Sequence, residues 1–203
     1  MKITRIQIVI ISASLIALLS LFSCLIICIN QNRIIKEKDR FILMMNDDEQ
    51  IQVNSKYDFI DSRIGCYIES LCYELELDSN LVFGILMQEN PMFDSNAVNK
   101  NGNGTLDVGL FQLNDRYLWN DFEKRYWIDG VELDPFNWKH NCYIAVHHIS
   151  HLQKTLKVND DVIMAYNCGM TAVMKDRVPE ITRRYLANVR NNIHLLKEIK
   201  DDD

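Results

Sequence analysis

Hydrophobic residues recur at steps of three and four through residues 57–198, as they do along one face of an α-helix. Five such stripes lie along this part of the chain. They comprise Ile60, Ile64, Tyr67, Ile68, Leu71 and Leu75; Leu81 and Ile85; Ala145, Ile149, Leu152 and Leu156; Val162, Ile163 and Tyr166; and Ile181, Tyr185, Leu186, Val189, Ile193 and Leu196. The spacing therefore predicts a mainly α-helical domain.

Polar residues and a proline indicate where these helices begin and end. Asp78-Ser79 is a candidate N-terminal cap for the second helix. Pro91 disfavours helical backbone at the residue before it, so this helix should end near Glu89. Asn159 or Asp160 is the candidate cap of the fourth helix.

Residues 99–114 have a different pattern. Their first half is rich in Asn and Gly, which is typical of a turn. Leu106, Val108 and Leu110 then alternate with polar or small residues, as in a short strand. We therefore predict a small β-hairpin or loop within the helical domain.

Residues 6–29 form a run without charge or proline. As a helix this run is about 36 Å long, enough to cross a hydrocarbon core of about 30 Å. We predict a transmembrane signal anchor, because the run is longer than the apolar core of a usual signal peptide. A cleaved signal peptide, a lipoprotein signal ending at Cys24 and a buried core helix are the alternatives.

The anchor defines the predicted organisation of the chain. Residues 1–5 form a short N-terminal flank, residues 30–56 a charged juxtamembrane stalk, residues 57–198 the folded domain and residues 199–203 an acidic tail. We find no internal repeat.

Composition and charge exclude several classes of protein. The chain has 203 residues, of which 48% are hydrophobic, with 7 Gly and 3 Pro, so it is neither disordered nor of low complexity. A formal net charge of -6 argues against a nucleic-acid partner held by phosphate contacts. Six cysteines are too few to build a disulfide scaffold of this length. The pairing of the four outside the anchor stays open; these are Cys66, Cys72, Cys142 and Cys168.

Glu89 is the first candidate for chemistry. It follows Leu81 and Ile85 at four-residue steps and so lies on the apolar side of its helix, at the negative end of the helix dipole. Burial and the dipole both disfavour the carboxylate and should raise the pKa of Glu89. A carboxyl group that is protonated near neutral pH can serve as a general acid. The alternative is an exposed Glu at a frayed helix end.

Asp107 is the second candidate carboxylate. It is expected on the short strand beside Gly109, where the missing side chain allows a ligand or backbone to approach closely. Glycosidases commonly place two carboxylates across a cleft. The alternative is an Asp that stabilises a local turn.

The order of these residues resembles a known family. The matching residues are Glu89, Phe93, Ala97, the Asn/Gly turn, residues 107–114 (Asp-Val-Gly-Leu-Phe-Gln-Leu-Asn), Asp134-Pro135, Asn141, residues 165–169 (Ala-Tyr-Asn-Cys-Gly) and residues 185–189 (Tyr-Leu-Ala-Asn-Val). Together they resemble the active-site core of lysozyme-like muramidases, in the form of the soluble lytic transglycosylase (SLT) domain. The resemblance covers about residues 60 to 195 and is greatest to the wall-opening transglycosylases of secretion and conjugation systems.

The resemblance implies a lysozyme-like, mainly α fold and a lyase reaction on peptidoglycan. The enzyme would cleave the β-1,4 bond between N-acetylmuramic acid and N-acetylglucosamine and leave 1,6-anhydromuramyl ends. Glu89 would act as the acid and then as the base, without a cofactor or a metal ion.

The resemblance also implies a set of substrate-binding residues. Gly109, Gln112 and Asn114 would line the glycan groove. Tyr166 and Tyr185 would orient the Glu or hydrogen-bond to it, and Asn167 would maintain the structure of the cleft.

The same resemblance implies the partners and the location. Peptidoglycan glycan strands would be the substrate, and the envelope secretion machinery is a candidate partner. Residues 6–29 would hold the protein in the cell membrane as a single-pass N-terminal anchor, with the catalytic domain on the periplasmic, extracytoplasmic side.

Two alternative functions stay open. A hydrolytic muramidase would use Glu89 as acid and Asp107 as second carboxylate. A non-catalytic peptidoglycan-binding protein is suggested by Asn90, which stands where the family has Ser, and by one extra residue before Phe93.

Other sequence signals were weaker. The Asn-rich turn resembles a calcium loop, but its twelfth position is Leu110, which cannot ligate calcium. His147 and His151 lack the Glu and the third ligand of a zinc site. No metal ion is therefore expected.

Overall fold

The computed structural model describes residues 20, 22–27, 55, 57–119 and 133–198. The chain divides into two compact units, Met1–Glu49 and Gln50–Asp203. The predicted flank, stalk and tail lie outside the described residues, apart from residue 55 of the stalk. Of the predicted anchor, only residue 20 and residues 22–27 are described, and these are helical. Among the described residues, no helix has the length and apolarity needed to span a membrane.

Within the second unit, the described residues form six α-helices that carry the fold. Their bounds are α1 Ser62–Leu75, α2 Ser79–Glu89, α3 Trp138–Leu156, α4 Asn159–Cys168, α5 Met170–Met174 and α6 Glu180–Glu198. The prediction of a mainly helical domain is confirmed, and all five hydrophobic stripes lie on or beside helices.

The helix ends follow the local sequence. The side chain of Asp78 accepts from the backbone N–H of Asn80 and so caps α2, as predicted. This helix ends at Glu89, in agreement with the effect expected of Pro91. The predicted cap of α4 was wrong: the N-cap residue is Val158, and no side chain caps this helix.

A three-stranded antiparallel sheet lies between α2 and α3 in the chain. Its strands, in spatial order, are β1 Val98–Lys100, β2 Leu106–Val108 and β3 Leu113–Asn114. In this register Asp107 pairs with Asn99 on one side and with Asn114 on the other. The predicted strand stops before Leu110, because the backbone turns at Gly109, where φ is +75°. A π-helical turn, Asp115–Trp119, follows β3.

The core is built around α2, which is apolar on nearly every side. Its fully buried side chains are Leu81, Val82, Phe83, Ile85 and Leu86. Helix α6 approaches α2 closely at Gly84, where an added Cβ would lie 2.6 Å from Cγ1 of Ile193. The amide of Asn192 also donates to the Gly84 carbonyl, at 3.1 Å. This packing brings an earlier turn of α6, which carries Tyr185, to the C-terminal end of α2.

Candidate active site

A cleft of about 660 Å³ runs between the sheet and the helices α3 and α4. The C-terminal end of α2 contributes Glu89 to its wall, and β2 contributes Asp107. The two carboxylates that the sequence singled out therefore line the same cleft.

Glu89 is half-buried and receives a hydrogen bond from another helix. The Tyr185 hydroxyl on α6 donates to Glu89 Oε1 at 2.5 Å. The pKa of Glu89 is raised from 4.5 to about 7: burial is the largest cause, the Tyr185 hydrogen bond lowers the pKa in part, and the negative charge of Asp107 adds a smaller rise. The predicted rise in the pKa of Glu89 is therefore confirmed, with burial as its main cause.

Tyr185 is itself a neutral donor. Burial raises its pKa well above the usual value, and the charge of Glu89 acts in the same direction. Since the tyrosine donates to Oε1, a proton on the carboxyl group of Glu89 belongs on the other oxygen, Oε2.

Asp107 is held by its neighbours in the sheet. Asn114 Nδ2 donates to Asp107 Oδ1 at 2.7 Å and to Thr105 Oγ1 at 3.0 Å. Asn114 Oδ1 accepts from the backbone N–H groups of Arg116 and Tyr117. Asn114 therefore lines the cleft as predicted, but its amide is occupied in orienting Asp107 and starting the π-helical turn.

Gln112 also lines the cleft, with its amide turned towards the protein. Its Nε2 donates to the Gly109 carbonyl at 2.7 Å, and its Oε1 accepts from Asn99 Nδ2 at 2.6 Å. These bonds stabilise a tight turn in which Gln112 itself has a positive φ of 48°. The amide of Gln112 shapes the groove rather than presenting its polar groups to a ligand.

Gly109 is not among the residues that line the cleft. The close approach predicted at this glycine is made by Asn141 and the Pro135 carbonyl, which would lie 2.2 Å and 2.7 Å from an added Cβ. Fully buried Asn141 accepts from the N–H of Phe111 and donates to the carbonyls of Val108 and Pro135. Asn141 thereby fixes the backbone on both sides of Gly109.

We expect Gly109→Ala to destabilise the domain strongly. The new methyl group would collide with Asn141 and Pro135, and φ of +75° is strained for alanine. The expected loss is at least about 2 kcal/mol of unfolding free energy, or roughly 5–10 °C in Tm. Thermal unfolding checks this against Gly102→Ala, since nothing lies within 4 Å of a Cβ built there. Equal Tm values for the two variants would contradict the account.

Tyr166 does not hydrogen-bond to Glu89. Its hydroxyl donates to the carbonyl of Phe111 at 2.9 Å, so it ties α4 to the turn that Asn141 holds from the other side. Of the two predicted tyrosines, Tyr185 alone donates to the glutamate. Tyr166 still lies close enough for the charge of Glu89 to help raise its pKa.

Asn167 follows Tyr166 on α4 and lines the cleft with its side chain exposed. Its Oδ1 accepts from Thr182 Oγ1 in the first turn of α6, at 2.7 Å. This contact joins the two helices on the α4 side of the cleft.

The chain is similar to known proteins in its sequence and in its fold. The model of the family described as transglycosylase SLT domain matches residues 67–184, more than half of the chain. The chain belongs to the transglycosylase SLT domain family. No curated protein matches it.

A solved structure shows the same fold. It is an X-ray structure of an inactive Glu-to-Gln mutant of lytic transglycosylase Slt from Pseudomonas aeruginosa. The two chains superpose with a TM-score of 0.55 at 18% sequence identity. The match covers 67% of this chain and 24% of that one, so the chain spans about a quarter of the length of that protein.

Two features of this SLT domain were missed in the sequence. One wall of the cleft carries three histidines of α3, His147, His148 and His151. In the sequence only His147 and His151 were considered, as an incomplete metal site. Burial lowers the pKa of His147 to about 4, so its imidazole is uncharged at neutral pH. Among the described residues, no group of three His, Cys, Asp or Glu is placed to hold a metal ion.

The second missed feature is the structural role of Asn90, which the sequence indicated only as a departure from the motif. Its side chain is buried and makes two hydrogen bonds across the turn after α2. Nδ2 donates to the Asp94 carbonyl at 2.7 Å, and Oδ1 accepts from the Asp94 N–H. Phe93, beyond the extra residue, has a positive φ of 52° in this turn. The extra residue is therefore accommodated in the turn after Glu89, and Glu89 is the last residue of α2.

The SLT domain should lose stability as Glu89 ionises. The unfolded carboxyl releases its proton near pH 4.5 and the folded one near pH 7, so unfolding becomes easier as pH rises between these values. Glu89→Gln removes this penalty. We expect the variant to equal the wild type at pH 4.5 and to exceed it by up to about 3 kcal/mol at pH 8.

Chemical denaturation at the two pH values measures this difference. Glu76→Gln, at an exposed residue just beyond α1, is the matched control and should show no such trend. A Glu89→Gln variant that is no more stable than the wild type at pH 8 would contradict the raised pKa.

Proposed function

We propose that residues 57–198 act as a peptidoglycan lytic transglycosylase. The domain would cleave the β-1,4 bond between N-acetylmuramic acid and N-acetylglucosamine without water and leave 1,6-anhydromuramyl ends. The observation that carries this proposal is Glu89, a carboxyl group with a pKa of about 7 on the wall of a cleft of about 660 Å³. Membership of the SLT family supports the same reaction.

Glu89 acts first as an acid. At neutral pH a large fraction of its side chain is protonated, and Tyr185 directs that proton to Oε2 by donating to Oε1. Transfer of the proton to the bridging oxygen lets the N-acetylglucosamine side leave as an alcohol. Positive charge then develops at C1 of the muramyl residue.

Glu89 next acts as a base. Its carboxylate takes the proton from the C6 hydroxyl of the same muramyl residue while that oxygen bonds to C1. The anhydro ring closes, the proton is back on Glu89, and no water is consumed. A pKa near 7 suits both steps, because neither form of the carboxyl group is strongly favoured.

Asp107 assists by its charge. It lies on the same cleft as Glu89, near enough to raise the pKa of that residue, and Asn114 keeps it oriented. A fixed carboxylate favours the positive charge that develops at C1. The same placement makes a hydrolytic muramidase the second candidate function, with Asp107 as nucleophile or electrostatic stabiliser.

The substrate-binding residues are proposed in two groups. Asn167 faces the glycan strand directly, and Asn114 borders it beside Asp107. Gln112, Gly109 and Tyr166 shape the groove through the turn that they stabilise or occupy.

We also propose that residues 6–29 anchor the protein in the cell membrane, with the domain on the extracytoplasmic side, where peptidoglycan lies. Support comes from the uncharged run of 24 residues in the sequence. Local opening of the wall for a secretion machine is the role proposed from the motif resemblance. Membrane fractionation, followed by protease treatment of intact spheroplasts, tests the anchor and its direction.

The test of the function uses purified murein sacculi and the full chain in mild detergent. We expect the sacculi to lose turbidity and release soluble muropeptides, while heat-denatured protein releases none. Protein that binds sacculi and never solubilises them would instead establish the third candidate, a non-catalytic peptidoglycan-binding protein.

A further inference from the structure

The side chain of Thr182 makes one polar contact, and its partner in that contact lines the cleft. It lies in the first turn of α6 with 1% of its surface exposed. Its hydroxyl donates to Oδ1 of Asn167 at 2.7 Å. Within the part of the chain that the structure describes, no other group hydrogen-bonds to this hydroxyl.

This contact fixes the orientation of the Asn167 amide. If the amide were flipped, Nδ2 would donate to the Thr182 oxygen, and the buried hydroxyl hydrogen would have no acceptor. The observed orientation satisfies the hydroxyl and directs Nδ2 away from Thr182. Both N–H groups of Nδ2 are without a protein acceptor among the described residues, although Asn167 lines the cleft.

The neighbouring amides are arranged differently. Gln112 and Asn114 line the same cleft, but both use their N–H groups on protein oxygens. Asn167 therefore offers a neutral donor to a bound ligand where these two do not. The cleft lining holds two carboxylates and no described Lys or Arg, so its charge disfavours an anionic acceptor at this point.

We propose that Thr182 is a positioning residue that sets substrate specificity: it holds the Asn167 amide so that Nδ2 donates to the carbonyl oxygen of a substrate acetamido group. The inference rests on the proposed function, which makes an N-acetylated glycan the substrate. The acetamido carbonyl is a neutral acceptor that recurs on every sugar of such a strand, whereas a free amine at the same carbon would present its own donors to Nδ2.

The test compares murein with chemically de-N-acetylated murein for the full chain and three variants. Asn167→Asp keeps the shape and the bond from Thr182 but has no N–H to donate. Thr182→Val keeps the buried volume and removes the hydroxyl, and Thr182→Ser restores the hydroxyl. We expect the wild type to prefer acetylated murein by about 10-fold in kcat/KM, the worth of one neutral hydrogen bond.

Asn167→Asp should abolish this preference, and Thr182→Val should reduce it, mainly through KM on acetylated murein. Thr182→Ser should restore it, which separates positioning from a general effect on folding. The position of the alkaline limb of the pH profile should be unchanged in both Thr182 variants, because Glu89 is untouched. A preference that survives in Asn167→Asp and Thr182→Val overturns the inference while the proposed function stands.

A binding measurement keeps the two claims separate. Titration calorimetry with tri-N-acetylchitotriose and with the chitosan trimer needs no cleavage. Preference for the acetylated trimer in the wild type, lost in Asn167→Asp, supports the inference even if sacculi are never solubilised. A ratio of the two affinities that is the same in the wild type and in Thr182→Val overturns it, because this uncharged change leaves the attraction between the cationic chitosan trimer and the carboxylates of the cleft unaltered.

Discussion

Replacing Glu89 by glutamine is expected to reduce murein cleavage by about 10³-fold or more. Glutamine has nearly the same shape and still accepts the hydrogen bond from Tyr185, but it carries no proton to give and accepts none from a C6 hydroxyl. Both chemical steps of the proposed reaction are lost together. The measurement is the rate of muropeptide release from sacculi at pH 6–7, where the wild type holds a large protonated fraction.

The same variant should remain folded, since it removes an ionisation that is unfavourable in the folded state. Loss of activity without loss of Tm assigns the effect to chemistry. Glu76→Gln is again the control and should keep full activity, because this residue is exposed beyond α1 and is not among the residues that line the cleft. Normal cleavage by the Glu89→Gln variant would remove the residue from the mechanism.

Removal of the Tyr185 hydroxyl is expected to have the second-largest effect. In Tyr185→Phe the carboxyl group of Glu89 loses the one neighbour that lowers its pKa, so that pKa should rise and the alkaline limb of the rate profile should move to higher pH. The proton is also no longer directed to Oε2. We expect kcat to fall by roughly 10- to 100-fold, less than for loss of the acid itself.

A full pH–rate profile distinguishes this account from simple loss of packing. The ring of phenylalanine preserves the apolar contacts of Tyr185 in the α2–α6 interface, so Tm should change little. Tyr73→Phe, at a side chain that is 90% exposed, is the matched control. If the alkaline limb of the Tyr185→Phe rate profile lies at the same pH as that of the wild type, the hydrogen bond from Tyr185 does not lower the pKa of Glu89.

The sequence was informative wherever structure depends on near neighbours. The cap at Asp78 and the end of α2 before Pro91 follow from contacts within a few residues, and both were predicted. The raised pKa of Glu89 was also accessible, since a four-residue spacing from Ile85 places the carboxyl on the buried face of the helix. Local chemistry and periodicity were sufficient for these features.

The remaining features depend on residues that are distant in the chain. Asn141 lies about thirty residues after Gly109, and no local pattern indicates that its amide will fill the space beside that glycine. The amide of Gln112 turns away from the cleft because Asn99, on β1, donates to its Oε1 while its Nε2 donates to the Gly109 carbonyl. Tyr166 is the third such case. Its stripe of apolar residues indicated that the ring would be buried, but not that the hydroxyl would donate to the Phe111 carbonyl.

The choice between lyase and hydrolase rests on Asp107. In a lytic transglycosylase this residue contributes charge, and Asp107→Asn keeps the bond from Asn114, so we expect a small change in rate. In a retaining hydrolase the same variant would lose the nucleophile or the main stabilising charge, and activity would fall severely. The rate of sacculus digestion by Asp107→Asn therefore separates the two reactions. Asn103→Asp, in the exposed turn that lines the cleft, is the control, because it changes the charge of the cleft and leaves Asp107 in place.

The most direct test is the chemistry of the product ends. Sacculi digested by the wild-type chain in oxygen-18-labelled water are analysed by mass spectrometry. If Glu89 closes the ring as proposed, the muramyl ends are 1,6-anhydro, lighter than reducing ends by one water, and free of the label. Reducing ends that carry one labelled oxygen would contradict the account, because water would then have taken the place of the C6 hydroxyl.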